Sequence, residues 1–600
     1  MNAQRGWLAL VIAAALALGA FHYWQFLQNP RPRWNGIVHD RSGHYEFAQT
    51  LAIAVRQADP VAFFSTLEKA KVWPPVHGLC AAAVLAIGGI DYRLAVLPSL
   101  AGWIATVVFG FLLARRISAS NGNAAGVIAA TLILASPAHR IYAVDIMLES
   151  LGAALTMMAL YFYAAAKQEP SVRAWRRLAI TLTVLFFEKY NYWLLVVFAL
   201  AAAELAGWSA ADWKRSAGVF TRFDWRRAIR AEMREPLTWV FCAIVAITLA
   251  IFLLKPEPLK FGGKPVSLYP PNNLVTLAYA VLFFRVLKSG IVRRIVAPAQ
   301  KQLAVWHILP IAISFLLPRR LSAFAWFLGP LNRSERSTPP VLDTAAFYVR
   351  SLSVDYHAAI WSTLLAALLF ALALVFYRRL RPGALAVVIL VLISAALALL
   401  HPNQKSRYLH SWPPAFWLVG AAGLVGCLNG ARRFRQPLAL TATAAVVLLH
   451  APGLLKPGHA PEAGCRGETT SLLDITDTYL SELGDQRRAA IFSTVPCAEL
   501  LIWTHHERYP QLDQVEIPLK DFPLTSEGVR RRLEKWEVES RADAAVFIDM
   551  TPDSPDYRAL TDYSAYAQVG QRINSNPRFH LARQWHLPEH GCTISMWTRN

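Results

Sequence analysis

The chain is organised as a series of long apolar runs separated by short basic or mixed-polarity segments. Residues 7–27 form the first run, long enough to cross a bilayer as a helix and followed by no small-residue cleavage site, so it reads as a retained first span. Runs at 94–114, 122–138, 150–166, 237–254, 272–287, 303–318, 357–377, 384–400, 412–428 and 436–450 predict further spans. Residues 178–205 are apolar except for FEKYNYW at 187–193, and both flanks are basic. Basic segments stay preferentially in the cytoplasm, so parity asks for two short helices with Glu188, Lys189, Tyr190 and Asn191 at their apex. Residues 76–90 are apolar for only about 15 positions, too few for a span. They are expected to lie as a helix on the outer membrane surface, within an outer loop 28–93 that also carries amphipathic segments at 45–58 and 61–69.

These runs add up to about thirteen spans. The expected fold class is therefore a polytopic α-helical membrane protein. Arg5 and the basic loops at 115–116, 167–177, 214–234, 378–381 and 432–435 face the cytoplasm. Composition agrees: 55% of residues are hydrophobic and 16% charged, mean hydropathy is +0.33, and a soluble chain would carry about 25% charged residues. A soluble or disordered protein is excluded. The net charge of +21 resides largely in those loops, and no nucleic-acid partner is expected.

Residues 1–455 form the membrane domain, and the pattern changes in 456–600. Strand-like AAIFSTV from Ala489, VEIPL from Val515 and AAVFIDM from Ala544 alternate with helical stretches such as SEGVRRRLEKWEVES from Ser526. A hairpin of FHLARQWHL from Phe579 and CTISMWTR from Cys592 closes the segment. This predicts a C-terminal soluble α/β domain on the outer side. Of six cysteines, Cys465, Cys497 and Cys592 lie in that domain and permit one disulfide whose pairing stays open, and no zinc-ligand spacing occurs.

Charged groups beside a bilayer are expensive, so those in the outer turns are candidate site residues. Asp40, in WNGIVHDRSGHYEF, is either a loop acid or N-cap before a helix starting near Tyr45, or a site carboxylate. Asp145 and Glu149, in YAVDIMLESLG, are spaced to share one helix face at the start of the fourth span. The helix dipole accounts for Asp145 but less well for Glu149, which lies nearer the apolar run. HPNQKSRYLHSW from His401 puts Lys405, Arg407 and His410 on the outer side, against the positive-inside tendency, and calls for an anionic partner: lipid head groups or a specific phosphate. Lys69 and Lys71, ahead of WPPVH at 73–77, and Lys189 either add to that positive field or snorkel at the interface. His39, His44 and His77 lack a metal-ligand spacing, and Arg333, Glu335 and Arg336 read as solvated.

The order of these features resembles the GT-C membrane glycosyltransferases, which include lipid A aminoarabinose transferases and protein O-mannosyltransferases. It runs from an acid soon after the first span, through a Pro-Pro turn and a short apolar helix, a second acid opening a span and a KY apex, to a late RYL turn. The resemblance covers roughly residues 1–450. It implies a polyprenyl-phosphate-linked sugar as donor, a lipid, glycan or protein acceptor, and inverting transfer on the outer face of the bacterial inner membrane. Asp40 then matches the first-loop catalytic base and Glu149, rather than Asp145, the second-loop acid. Lys405, Arg407 and Tyr408 match the RYL turn that holds phosphate, and Lys189 with Tyr190 the KY apex. The sequence departs from the pattern at Arg41, where a second acid often stands, and at Trp73, where a Lys often precedes Pro-Pro, so Lys71 would have to reach the phosphate. No cofactor is defined, and a divalent metal stays open. A transporter is the main alternative, but it calls for internal repeats and mid-membrane charges that the sequence lacks. A non-catalytic envelope assembly or sensor protein, working through the outer domain, is the other.

Overall fold

The computed structural model describes residues 2–28, 39–69, 74–209, 232–257, 259–261, 264–266, 268–289, 297–328, 340–357, 359–375, 380–400, 404–428 and 435–455, with isolated positions between 210 and 231; beyond 455 it describes chiefly the strands given below. Apolar runs become helices wherever the i to i−4 ladder is uninterrupted, and proline, glycine and capping side chains set their ends. Helix α1 covers Asn2–Gln28. Helix α2 covers His39–Arg56, beginning six residues before the Tyr45 start that the sequence suggested. Asp40 and Arg41 therefore stand in its first turn rather than in a preceding loop. Helix α3 (Pro60–Lys69) starts where Asp59 Oδ1 accepts the Ala62 N–H at 2.9 Å. Helix α4 (Val76–Gly88) follows Pro74-Pro75 and stops at Gly89, whose φ of 104° lies where side chains are strained. Val61, Phe64 and Ile87 are exposed while Tyr45, Leu51, Ala81 and Leu85 are buried, the two-faced pattern of helices that lie along an interface.

Helix α5 (Tyr92–Ala95), capped by Asp91, runs into α6 (Leu97–Ile117). Helix α7 (Gly122–Ala135) bends by 68° into α8 (Pro137–Ala143), so the single run expected at 122–138 breaks at Ser136, where Pro137 opens a new helix. Helix α9 spans Glu149–Gln168 and packs tightly on α6. A Cβ on Gly102 would lie 2.7 Å from Leu151 Cα, so only glycine lets those backbones approach so closely. Helix α10 (Val172–Glu188) and helix α11 (Tyr190–Ala206) are separated by Lys189 alone.

The contacts give the direction of each helix. Arg177 lies over the Phe162 ring near the far end of α9, Lys189 pairs with Glu149 at its start, and Glu204 returns to Tyr163 and Lys167. The chain therefore reverses at Lys189, as parity required.

The later apolar helices are Pro236–Leu254, Asn272–Lys288, Ile360–Val375, Ala384–Leu400, Pro413–Leu428 and Arg435–Leu455. Between the first two, β1 (Leu259–Phe261) and β2 (Lys264–Val266) form a small antiparallel hairpin. Pro298–Leu303 passes through a π-turn, Ala304–Ile308, into Leu309–Ser314. The segment between the runs 303–318 and 357–377 contains two helices, Arg320–Leu328 and Val341–Ser351. Among the described residues three helices are long and apolar enough to cross a membrane unaided, and two bent pairs raise that to five.

In the C-terminal part β3 (Ala489–Ser493), β4 (Gln514–Pro518), β5 (Ala544–Asp549), β6 (Phe579–Leu587) and β7 (Cys592–Arg599) form one sheet in the order β4-β3-β5-β7-β6. β3 is parallel to β4 and β5, with Ala489 opposite both Gln514 and Ala544, while β7 is antiparallel to β5 and β6. The expected strands and closing hairpin are present. Residues 526–540, Cys465 and Cys497 lie outside the described residues.

Candidate active site

Three stretches far apart in sequence meet at the start of α9. Lys189 Nζ donates to Glu149 Oε1 at 2.6 Å, with the carboxylate 2% exposed. The same ammonium lies 4.5 Å from the centre of the Tyr192 ring. Gly152, almost one turn after Glu149, makes room for both: a Cβ there would stand 2.8 Å from Tyr192 Cδ2 and 3.7 Å from Lys189 Cδ. Tyr192 is fully buried, and its hydroxyl has no hydrogen-bond partner among the described residues. It lies within electrostatic reach of Glu149, Arg407 and Glu188.

Arg407 comes from a 3₁₀ turn, Ser406–Leu409, and sits over the Tyr408 ring at 6.0 Å. Ser406 donates to Asp355 Oδ2 at 2.6 Å, and Tyr356 donates its hydroxyl to the Ser406 carbonyl at 3.2 Å, which fixes the turn. His410 follows, stacked on His139 of α8 with ring centres 4.0 Å apart. Burial, with a further push from the Lys189 charge, holds the His410 pKa well below the ordinary histidine value. That shift favours the neutral imidazole, which suits two rings in face contact.

The wall formed by α2 and α4 is built on hydrogen bonds toward the chain before α9. His77 Nε2 lies 2.9 Å from Ser99 Oγ, whose hydroxyl donates to the Met147 carbonyl at 3.3 Å, so Nε2 is the donor. Burial first, then the His44 ring 6.4 Å away, pushes the His77 pKa down to about 3. Arg41 grips Asp145 through two hydrogen bonds, Nε to Oδ1 at 2.6 Å and Nη2 to Oδ2 at 2.7 Å. Asp145 also accepts its neighbour Ile146 N–H at 2.7 Å.

Asp145 and Glu149 do not share a helix face, as their spacing had suggested. Residues 144–148 are a non-helical turn, α9 begins only at Glu149, and the two carboxylates go to different cations. Tyr190 packs against Phe186 at 4.9 Å and Phe324 at 5.2 Å. The Lys405 carbonyl accepts the Tyr408 N–H, and both side chains are partly exposed. The backbone of Asp40 is in α2, but its side chain, those of His39 and Lys69, and all of Lys71, Arg333, Glu335 and Arg336 lie outside the described residues. Among the described residues no three His, Cys, Asp or Glu come together as a metal site.

Sequence reasoning missed Tyr192, His139, Asp355 and the Arg41 ion pair, and it gave no role to Glu188. Only Arg41 left a signal: a cation where the motif order wanted an acid, with Asp145 unassigned.

No protein-family model matches the chain, and no curated protein matches it in sequence. Solved structures do match. ArnT from Cupriavidus metallidurans in the apo state superposes with a TM-score of 0.50 at 14% identity, covering 99% of this chain and 98% of that one. The same protein bound to undecaprenyl phosphate gives 0.52 at 14% identity, covering 98% of both chains. The oligosaccharyltransferase AglB from Archaeoglobus fulgidus, in complex with an inhibitory peptide and a dolichol-phosphate, gives 0.48 at 12% identity, over 93% of this chain and 71% of that one. The protein thus carries the GT-C membrane fold that its motif order resembles.

Proposed function

We propose that the protein transfers a sugar from a polyprenyl-phosphate carrier to an acceptor hydroxyl on the outer face of a bacterial inner membrane, with inversion. The observation that carries this reading is the buried pairing of Glu149 with Lys189 against the Tyr192 ring, with Arg407, from a third stretch, within electrostatic reach of Tyr192. A cluster so costly to bury in a membrane protein is a functional site by default. Two cations and an unpartnered phenol suit a phosphate that leaves with its lipid. The likeness of fold to a protein solved with undecaprenyl phosphate supports the same ligand class.

In this scheme the acceptor hydroxyl gives its proton to Asp40, attacks the anomeric carbon, and the carrier departs as a polyprenyl phosphate. Arg407, helped by Lys405, Tyr408 and Lys189, stabilises the departing oxyanion, and Lys71 and Tyr190 stand as further donor contacts. The anomeric centre passes through an oxocarbenium-like state, for which Glu149 supplies a carboxylate. Asp145 is already neutralised by Arg41, so its part is to hold α2 and the turn before α9 together. The N-terminus faces the cytoplasm and the 456–600 domain lies outside, beside the acceptor.

The test incubates the purified protein with a panel of polyprenyl-phosphate sugars and reads lipid extracts by mass spectrometry. Asp40→Asn should abolish transfer while preserving folding. Full activity in that variant removes Asp40 as the base, and uptake of substrate into proteoliposomes without transfer would replace the enzyme by a transporter.

A further inference from the structure

Glu188, the last residue of α10, is fully buried, and neither of its carboxyl oxygens has a hydrogen-bond partner among the described residues. The groups around it come from every element that meets its end of α10. His77, whose backbone N–H it faces without a well-formed hydrogen bond, and Cys80 belong to α4; Glu149 belongs to α9 and Tyr192 to α11; Lys189 is its chain neighbour. His307, on the π-turn packed against α10, bonds instead near Thr183, more than a helical turn away. Near this end of α10, then, Glu149 holds the Lys189 ammonium at 2.6 Å while Glu188 lies within its electrostatic reach without contacting it.

Burying an ionised carboxylate without hydrogen bonds is far costlier than burying the neutral acid, so the surroundings of Glu188 suit its protonated form. That matters for Lys189. With Glu188 neutral, the ammonium faces one carboxylate and is able to share itself with an incoming phosphate. With Glu188 ionised, it is held between two.

We propose that Glu188 is a positioning residue that acts through Lys189: as the neutral acid it leaves the ammonium available to the phosphate of the lipid carrier, and as the carboxylate it withdraws it. This rests on the phosphate-binding reading above. Three features support it independently of that reading: the burial of Glu188, the lack of a hydrogen-bond partner for its carboxyl oxygens among the described residues, and its place beside an ion pair already complete.

The experiment measures binding of undecaprenyl phosphate to the full chain in nanodiscs between about pH 7 and about pH 9, above the second ionisation of a phosphate monoester and below that of free lysine and arginine. Wild-type affinity should fall on the alkaline side by up to about tenfold per pH unit, the slope of one ionising group. Glu188→Gln, which keeps the shape but has no proton to lose, should bind at neutral pH within about threefold of wild type and hold that affinity across the range. Glu188→Asp should restore an alkaline fall. A fall that persists unchanged in Glu188→Gln overturns the proposal, as does a pH-independent wild type. Loss of binding at every pH in a Glu188→Gln protein with wild-type melting would mean a purely structural contact and overturns it too. A wild-type chain that binds no undecaprenyl phosphate at any pH overturns the function reading itself, which the other outcomes leave standing.

Discussion

Arg41 and Asp145, 104 residues apart, are joined by two hydrogen bonds of 2.6 and 2.7 Å with both side chains almost fully buried. The pair ties the first turn of α2, and with it the backbone of Asp40, to the turn before α9. Removing one partner leaves the other charge stranded, so Arg41→Ala or Asp145→Asn should each cost about 3–5 kcal/mol. Arg41→Lys keeps the charge but loses the two-point grip and should fall between. Unfolding in detergent, with the double variant to close the cycle, measures this; an Arg41→Ala protein as stable as wild type would show that the pair holds nothing.

Lys189 and Glu149 make a second buried pair, with a different expected outcome. Lys189→Ala should lower stability by several kcal/mol, about 3–5, by stranding Glu149. The double variant Lys189→Ala/Glu149→Ala should recover much of that stability but no transfer activity, because it lacks the cation that the proposed scheme gives to the phosphate. Comparing melting temperature with turnover in the three proteins separates the two roles.

Gly152 tests whether the phenol of Tyr192 must sit where it does. Gly152→Ala forces a methyl to within 2.8 Å of the Tyr192 ring, so the ring must shift. Overpacking of this kind costs about 1–3 kcal/mol. Activity should fall further than stability, and a Gly152→Ala/Tyr192→Leu protein should regain the stability alone.

The buried histidines set an acid limit. His77 is pushed down to about 3 and His410 well below its ordinary value, so each binds a proton more readily in the unfolded chain. Stability is then complete above about pH 6.5 and is lost as pH falls below it, by up to about 1.4 kcal/mol per pH unit for each group. Unfolding in detergent at successive pH values should show this slope, and His77→Gln should remove its share.

The helices were legible because a bilayer demands long apolar runs, and the five strands of the C-terminal part because alternation and turn residues bounded them. The reversal at Lys189 was legible for a different reason: the basic flanks of 178–205 left parity no other solution. The site was only half readable. Residue type and order pointed to Glu149, Lys189 and Arg407, but spacing misled at Asp145, where i,i+4 presumes a helix that begins only at Glu149. Tyr192 and His139 left no trace in the sequence, since an aromatic beside a polar apex or a histidine just past an apolar run looks the same whether it fills space or lines a cluster. The early start of α2 was hidden by glycine and polar residues in its first turns, which carry little helix propensity of their own.

Lys189 is the whole connection between α10 and α11, extended at φ −158° and ψ 106°. A bend of one residue has no slack, so where its charge sits is dictated by the axes of two helices rather than by local torsions. Any tilt of either rod must therefore be felt at the ammonium, so the hairpin couples the packing of two helices to the ion pair at its tip.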